Sequence, residues 1–280
     1  MTGLLGVFQG RFGRVTLFRT NQPVRDHAHP QVHVLIKIDG EDGAYDVAGH
    51  GPSPVTDDRL VVINPWLAHA NWRPPGGEPA TILALYVEPS WLDLGSGSLP
   101  IQVFATPEGR MTGTIRRLAG RLSLALCDGP QIGAAGMETL LYELMMEVLG
   151  ECADGTRLPV PERAPDHRIR NAIGLMRRRD GCLADTNAVA RAVGLSRSHF
   201  YERFRASVGL PPGLYADGLR LEAAIETLIR TDRRLGDISL DLGFPAQSHF
   251  SRFFKTKVGF SPKDYRRVAG SAAATIAGLP

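Results

Sequence analysis

Cysteine is scarce in this chain. There are three in 280 residues, Cys127, Cys152 and Cys182, widely spaced and without a CxxC pair. That excludes a disulfide framework and a zinc knuckle, and the three read as small buried hydrophobes. Long apolar runs are missing too. None approaches the roughly 18 residues needed to span a bilayer. The opening MTGLLGVFQGRFGRV has no long apolar segment followed by a small-residue cleavage site. The expectation is a cytoplasmic protein that makes no membrane contact. Charge of one sign is also nearly absent overall, with a net +3. The balance hides an asymmetry. Residues 166–267 carry 19 Lys and Arg against 11 Asp and Glu, a surplus of eight, and the rest carries 13 against 18, a deficit of five. One end of the molecule is suited to a polyanion and the other is not.

The chain is long enough for two domains. GECADGTRLPVPERAPDH, residues 150–167, has three prolines and no helical period, and reads as a linker. We place an N-terminal domain at 1–150, the linker at 151–165, a second domain at 166–268 and a frayed tail at 269–280. In the first domain, RVTLFRT, QVHVLIKI, AYDV, RLVVIN and ATILALYV are short apolar runs broken by DGEDG, GHGPSP and RPPGGEP. Many short strands separated by Gly/Pro turns indicate a β-sandwich or barrel. TIRRLAGRLSLALC and METLLYELMMEVLG have the i, i+3, i+4 spacing of two amphipathic helices. Their stripe, with Leu140, Leu141, Leu144 and Met145, packs either on its own barrel or on a second subunit. We expect a homodimer through residues 111–150.

Beyond the linker the pattern is helical, and it repeats. Ser198, His199, Phe200, Phe204, Val208, Gly209, Pro212 and Tyr215 recur fifty residues later as Ser248, His249, Phe250, Phe254, Val258, Gly259, Pro262 and Tyr265. Gly194 and Gly243, in the turns, are offset by one residue less. Each unit is a short helix, a Gly-containing turn and a second helix, which is a helix-turn-helix. Asp185 or Thr186 caps the first helix and Ser196 the second. Most matched positions are scaffold: phenylalanines at i, i+4, glycines that end helices and prolines that begin them. The outward residues differ between the copies.

DISLDLGFPAQSHFSRFFKTKVGFSPKDYRR resembles the signature of the AraC/XylS-type transcription regulators, and the resemblance covers about residues 166–268. It implies two helix-turn-helix units joined by a long helix, double-stranded DNA as partner and contact with RNA polymerase. The preceding part is similar in pattern and order to that family's cupin-like effector-binding domain. The expected fold class is thus α+β: a cupin-like β-barrel with a helical pair, then an all-α domain.

A recognition helix enters the major groove and reads base edges with its outward side chains. In the first unit these are Arg197, Ser198, Tyr201 and Glu202. In the second they are Gln247, Ser248, Ser251 and Arg252. Arg252 suits guanine, Gln247 adenine and Glu202 cytosine. Arg205, Lys255, Lys257, Lys263, Arg266 and Arg267 suit phosphates, which position without specifying. Two such helices on one rigid connector should lie roughly 34 Å apart, on one side of the duplex.

In the first domain, HAHPQVH gives His27, His29 and His33 an even spacing along an extended segment, and His69 follows in NPWLAHANW. Cupin metal sites resemble HxH, then a glutamate, then a distant histidine. Here His33 stands at the glutamate position. Four imidazoles suit zinc, iron, nickel or copper, and a metal ion is the only cofactor this sequence suggests. The same side chains, with Tyr45, Trp66, Trp72 and Tyr86, equally line a pocket for a small organic effector. The family resemblance favours the effector. A metal-dependent cupin enzyme or a metal sensor fused to a DNA-binding domain is the alternative. No glutamate at the motif position supports catalysis, and we expect no enzyme. Cys127 lies beside Asp128, which opposes a reactive thiolate.

Overall fold

The computed structural model describes residues 2–72, 77–95, 99–128, 133–153, 166–178 and 185–277. Its N-terminal half holds ten strands: β1 (Gly3–Gly10), β2 (Gly13–Thr20), β3 (Val24–His27), β4 (Val32–Asp39), β5 (Gly43–Val47), β6 (Gly51–Val55), β7 (Arg59–Ile63), β8 (His69–Trp72), β9 (Ala80–Val87) and β10 (Glu108–Arg110). They form two antiparallel sheets, ordered β1-β2-β9-β4-β7-β10 and β3-β8-β5-β6. The expected barrel is therefore an open sandwich. No strand pairing among the described residues joins one sheet to the other.

Alternation along the central strands decides what each face meets. Val32, Val34 and Ile36 of β4 and Leu83, Leu85 and Val87 of β9 face one way, into a core shared with α1 (Gly113–Asp128) and α2 (Gly133–Cys152). Leu35, Ile82 and Ala84 face the smaller sheet, where they meet Tyr45, Val47 and Val55. His33 and Tyr86 belong to this second face by the same parity, and they pair across β4 and β9.

Strand β6 carries two prolines, Pro52 and Pro54, inside a segment expected to be a turn. It lies at the edge of its sheet, where a missing N–H costs no ladder bond. The stripe expected at a dimer interface is instead internal. Leu140, Leu141, Leu144 and Met145 are buried against the larger sheet of their own chain. Among the described residues the large apolar side chains exposed on α1 and α2 are Leu124, Tyr142 and Met146.

The second half is α3 (His167–Arg177), α4 (Thr186–Ala192), α5 (Arg197–Val208), α6 (Pro212–Arg230), α7 (Leu235–Asp241), α8 (Gln247–Val258) and α9 (Pro262–Ala277). Asp166, Asp185 and Ser196 cap α3, α4 and α5 by accepting from backbone N–H groups. Gly209 and Gly259 end α5 and α8 at φ 81° and 88°, a conformation only glycine adopts cheaply. The internal repeat is a packing repeat as well. Phe204 meets Tyr215 at 5.4 Å, and Phe254 meets Tyr265 at 5.5 Å. Helix α9 runs to Ala277, through most of the segment expected as a tail. Most of the expected linker, residues 154–165, lies outside the described residues, and α2 extends into its start, to Cys152. No helix among the described residues is long and apolar enough to cross a membrane.

Candidate nucleic-acid interface and histidine cavity

Helices α5 and α8 are the second helices of the two helix-turn-helix units. Each presents its inward phenylalanines to the core and its opposite face to solvent. Arg197, Ser198, Tyr201, Glu202 and Arg205 are all exposed, as are Gln247, Ser248, Arg252 and Lys255. Ser251 is half-buried. Arg266, on α9, is half-buried too, and its Nε and Nη2 have no hydrogen-bond partner among the described residues. Lys257 departs from its expected role as a phosphate ligand. It turns away from the exposed face, donates to the backbone oxygen of Asp26 on β3 and lies 4.0 Å from Asp217. His199 and His249 are both exposed.

Lys257 belongs to a seam between the two halves. Gly218 on α6 sits against the corner after β3, where a Cβ would stand 2.3 Å from the oxygen of Ala28. Trp66, expected in the effector pocket, is in this seam instead. Its ring stacks on Tyr215 at 4.1 Å, and its backbone N–H donates to the backbone oxygen of His29 at 2.8 Å. It holds φ at 62°, uncommon for a bulky residue. Phe18 meets Phe260 edge-on at 5.8 Å. The side chain of Trp72 lies outside the described residues.

The histidines converge, though not along one strand. His27 ends β3, His29 lies in the corner beyond it and His33 is in β4. His69 is the cross-strand partner of His27 on β8. His33 Nδ1 is 3.2 Å from His29 Nε2 and 3.3 Å from His69 Nε2. The rings of His27 and His69 are 4.2 Å apart. Burial holds all four imidazoles neutral: it drives His27, His29 and His33 well below the usual histidine range, and His69 down to about 4.

His27, His29 and His33 open into a cavity of about 50 Å³. Tyr45 and Tyr86 line it as expected, with Asn71 beside them. Strands of the sandwich supply more of the wall, and the other half of the chain closes it with Leu221, Glu222 and Ile225 of α6, Lys257 and Val258 of α8, Phe260, and Tyr265 of α9. Arg14 of β2 reaches Glu222 with two contacts, 3.3 and 3.4 Å, and lies over the Tyr86 ring. Burial opposes the Arg14 charge most strongly, but Glu222, Tyr265 and Tyr86 together outweigh it and raise its pKa. Gln31 Nε2 donates to Glu222 and to Glu88, at 3.0 and 2.8 Å. Sequence reasoning missed Arg14, Glu222 and the placement of Tyr265 at the cavity. Arg14 and Glu222 are 208 residues apart, and no local pattern joins them.

Residues 189–268 match the family model for a helix-turn-helix domain. The chain is 32% identical over 79 residues to the HTH-type transcriptional regulator MtrA of Neisseria gonorrhoeae, which is 28% of this chain and 26% of that one. It is 28% identical over 178 residues to the HTH-type transcriptional regulator CdhR of Pseudomonas aeruginosa, covering 55% and 53%. The chain thus spans about half the length, or less, of these curated relatives. Among solved structures, ToxT from Vibrio cholerae O395 aligns with 95% of this chain and 98% of its own, with a TM-score of 0.52 and 8% identity. ToxT of strain SCE256 with an unsaturated fatty acid bound aligns with 91% and 94%, with a TM-score of 0.53 and 10% identity. Residues 189–268 thus share a helix-turn-helix domain with these transcriptional regulators, and the fold is shared along nearly the whole chain with ToxT.

Proposed function

We propose that this chain is a sequence-specific transcription regulator whose two recognition helices, α5 and α8, read successive major-groove faces, and whose DNA affinity is set by a small ligand in the histidine cavity. The observation that carries this reading is the shared wall. His27 closes β3, and the same strand meets the end of α8 through Asp26 with Lys257 and Val24 beside Gly259. A ligand that moves the histidines moves a strand on which a recognition helix rests. The fatty acid in the ToxT structure supports a ligand-binding role for this fold.

The same reading includes the domain division at the linker, action in the cytoplasm and contact with RNA polymerase. It also includes a homodimer, now through the outward face of α1 and α2 with Leu124, Tyr142 and Met146. Selection of binding sites from a random DNA pool, followed by anisotropy titration at fixed salt, tests it. A preference of at least about 10³ for the selected site over random DNA is expected. Equal affinity for both would refute sequence-specific regulation.

A further inference from the structure

We propose that His27, His29, His33 and His69 bind one divalent first-row transition ion, of the class of Zn²⁺, Co²⁺, Ni²⁺ or Cu²⁺, inside the N-terminal sandwich. The site itself is argued from geometry alone. Its effect on DNA rests on the regulator reading above.

The nitrogen spacing fits an ion. Ligands at 2.0–2.1 Å in a tetrahedral arrangement lie roughly 3.3 Å from one another. His33 Nδ1 stands 3.2 and 3.3 Å from the Nε2 atoms of His29 and His69. The ligand atoms of His27, His29 and His69 all lie within 4.8 Å of one another, and His33 stands outside that triplet, reaching it through His29 and His69.

The tautomers fit as well. His27 Nδ1 is 3.0 Å from Arg25 O, and His69 Nδ1 is 2.9 Å from Leu67 O. A carbonyl only accepts, so both histidines carry the proton on Nδ1 and leave a lone pair on Nε2. This is how metal-bound imidazoles are held by an outer partner. Without an ion the arrangement is poorly satisfied. One hydrogen on His33 Nδ1 serves one of its two nitrogen contacts at full strength and not both. A cation beside them is met by the Nε2 lone pairs that His27 and His69 leave free.

Four neutral nitrogen donors without a carboxylate disfavour Ca²⁺ and Mg²⁺, which take oxygen ligands. Volume points the same way. Pockets that enclose organic ligands span roughly 300–1,000 Å³, and this cavity has about 50 Å³. It accommodates an ion with a few waters or one small anion.

The test uses the untagged full-length chain, stripped with a chelator and dialysed. Titration with zinc sulfate by calorimetry should show one ion per chain. Cobalt chloride should give the intense visible absorption of a tetrahedral nitrogen site. His69→Gln and, separately, His29→Asn should each weaken binding by more than about 100-fold, beyond the 10–100-fold that follows loss of an outer partner. His50→Ala, on an exposed turn, should leave it unchanged. Circular dichroism checks that each variant is folded, and either of the two suffices. No saturable binding by the folded wild-type chain, or equal binding by a folded His69→Gln, overturns the site. DNA affinity is measured on the same samples. Sequence-specific binding without ion uptake overturns the site and leaves the regulator reading standing. Ion uptake without any specific DNA binding does the reverse.

Discussion

Arg252 and Arg14 show how one residue type serves two ends. Arg252 is exposed on α8, and its guanidinium matches the two acceptors of a guanine edge. Arg252→Ala should cost about 1–3 kcal/mol on the preferred site and relax selection at one base position. An equal loss on random DNA, measured by anisotropy, would make it a phosphate contact. Arg14 is buried, with 6% of its side chain exposed, against 19% for Glu222. Removing one partner of such a pair leaves an uncompensated charge. Glu222→Gln should therefore lower stability by about 3 kcal/mol, read as a shift in the denaturation midpoint. Arg14→Met combined with Glu222→Leu should recover most of that loss, since an apolar pair removes both desolvation costs. If the double variant is no better than the single one, the seam depends on shape and not on this charge.

At the scale of elements, α6 is the decisive piece. It joins the two helix-turn-helix units, and it also forms part of the cavity wall. Gly218 is where it comes closest to the β3–β4 corner. Gly218→Ala adds a methyl group to a space already filled by the Ala28 carbonyl. Overpacking of this kind costs about 1–3 kcal/mol, against up to about 1 kcal/mol gained in helix propensity. The expected result is a loosened seam. Amides of β3 and Trp66 should exchange faster with solvent, while protection within the larger sheet stays unchanged. Unaltered exchange at Trp66 would show that the corner yields without undocking. The packing of α2 gives the opposite lesson. Leu144 lies in the core of its own subunit, so Leu144→Ala should destabilise by about 2–5 kcal/mol at any protein concentration. Replacing Leu124 and Met146 together with glutamate should leave stability nearly intact and convert the proposed dimer to monomer in light scattering. A variant that stays dimeric would place the interface elsewhere.

Over the whole molecule, local patterns and long-range geometry divide cleanly. The two helix-turn-helix units, their caps at Asp185 and Ser196, the strands with alternating apolar residues and the charge bias of the second half were all legible, because each is written within a few residues. Periodicity, capping and turn chemistry act at that range. Strands β1, β3, β6 and β8 were not legible. Glycines, prolines and histidines interrupt them, and they exist because a neighbour supplies the other half of each ladder. The even spacing of His27, His29 and His33 was visible, but its meaning was not. A corner between β3 and β4 and the pairing of β3 with β8 bring the four rings together, and that register depends on the whole sandwich. The stripe on α2 left its own sheet and a second subunit equally open, since amphipathicity names a buried face without naming its partner. The sequence by itself determined which segments are helix-turn-helix units and which phenylalanine-bearing face of each second helix turns inward, because those choices are local. Only the tertiary structure decided that Arg14, Glu222, Lys257 and Tyr265 close the histidine cavity, because contacts across some two hundred residues follow from how the two halves pack and not from any pattern along the chain.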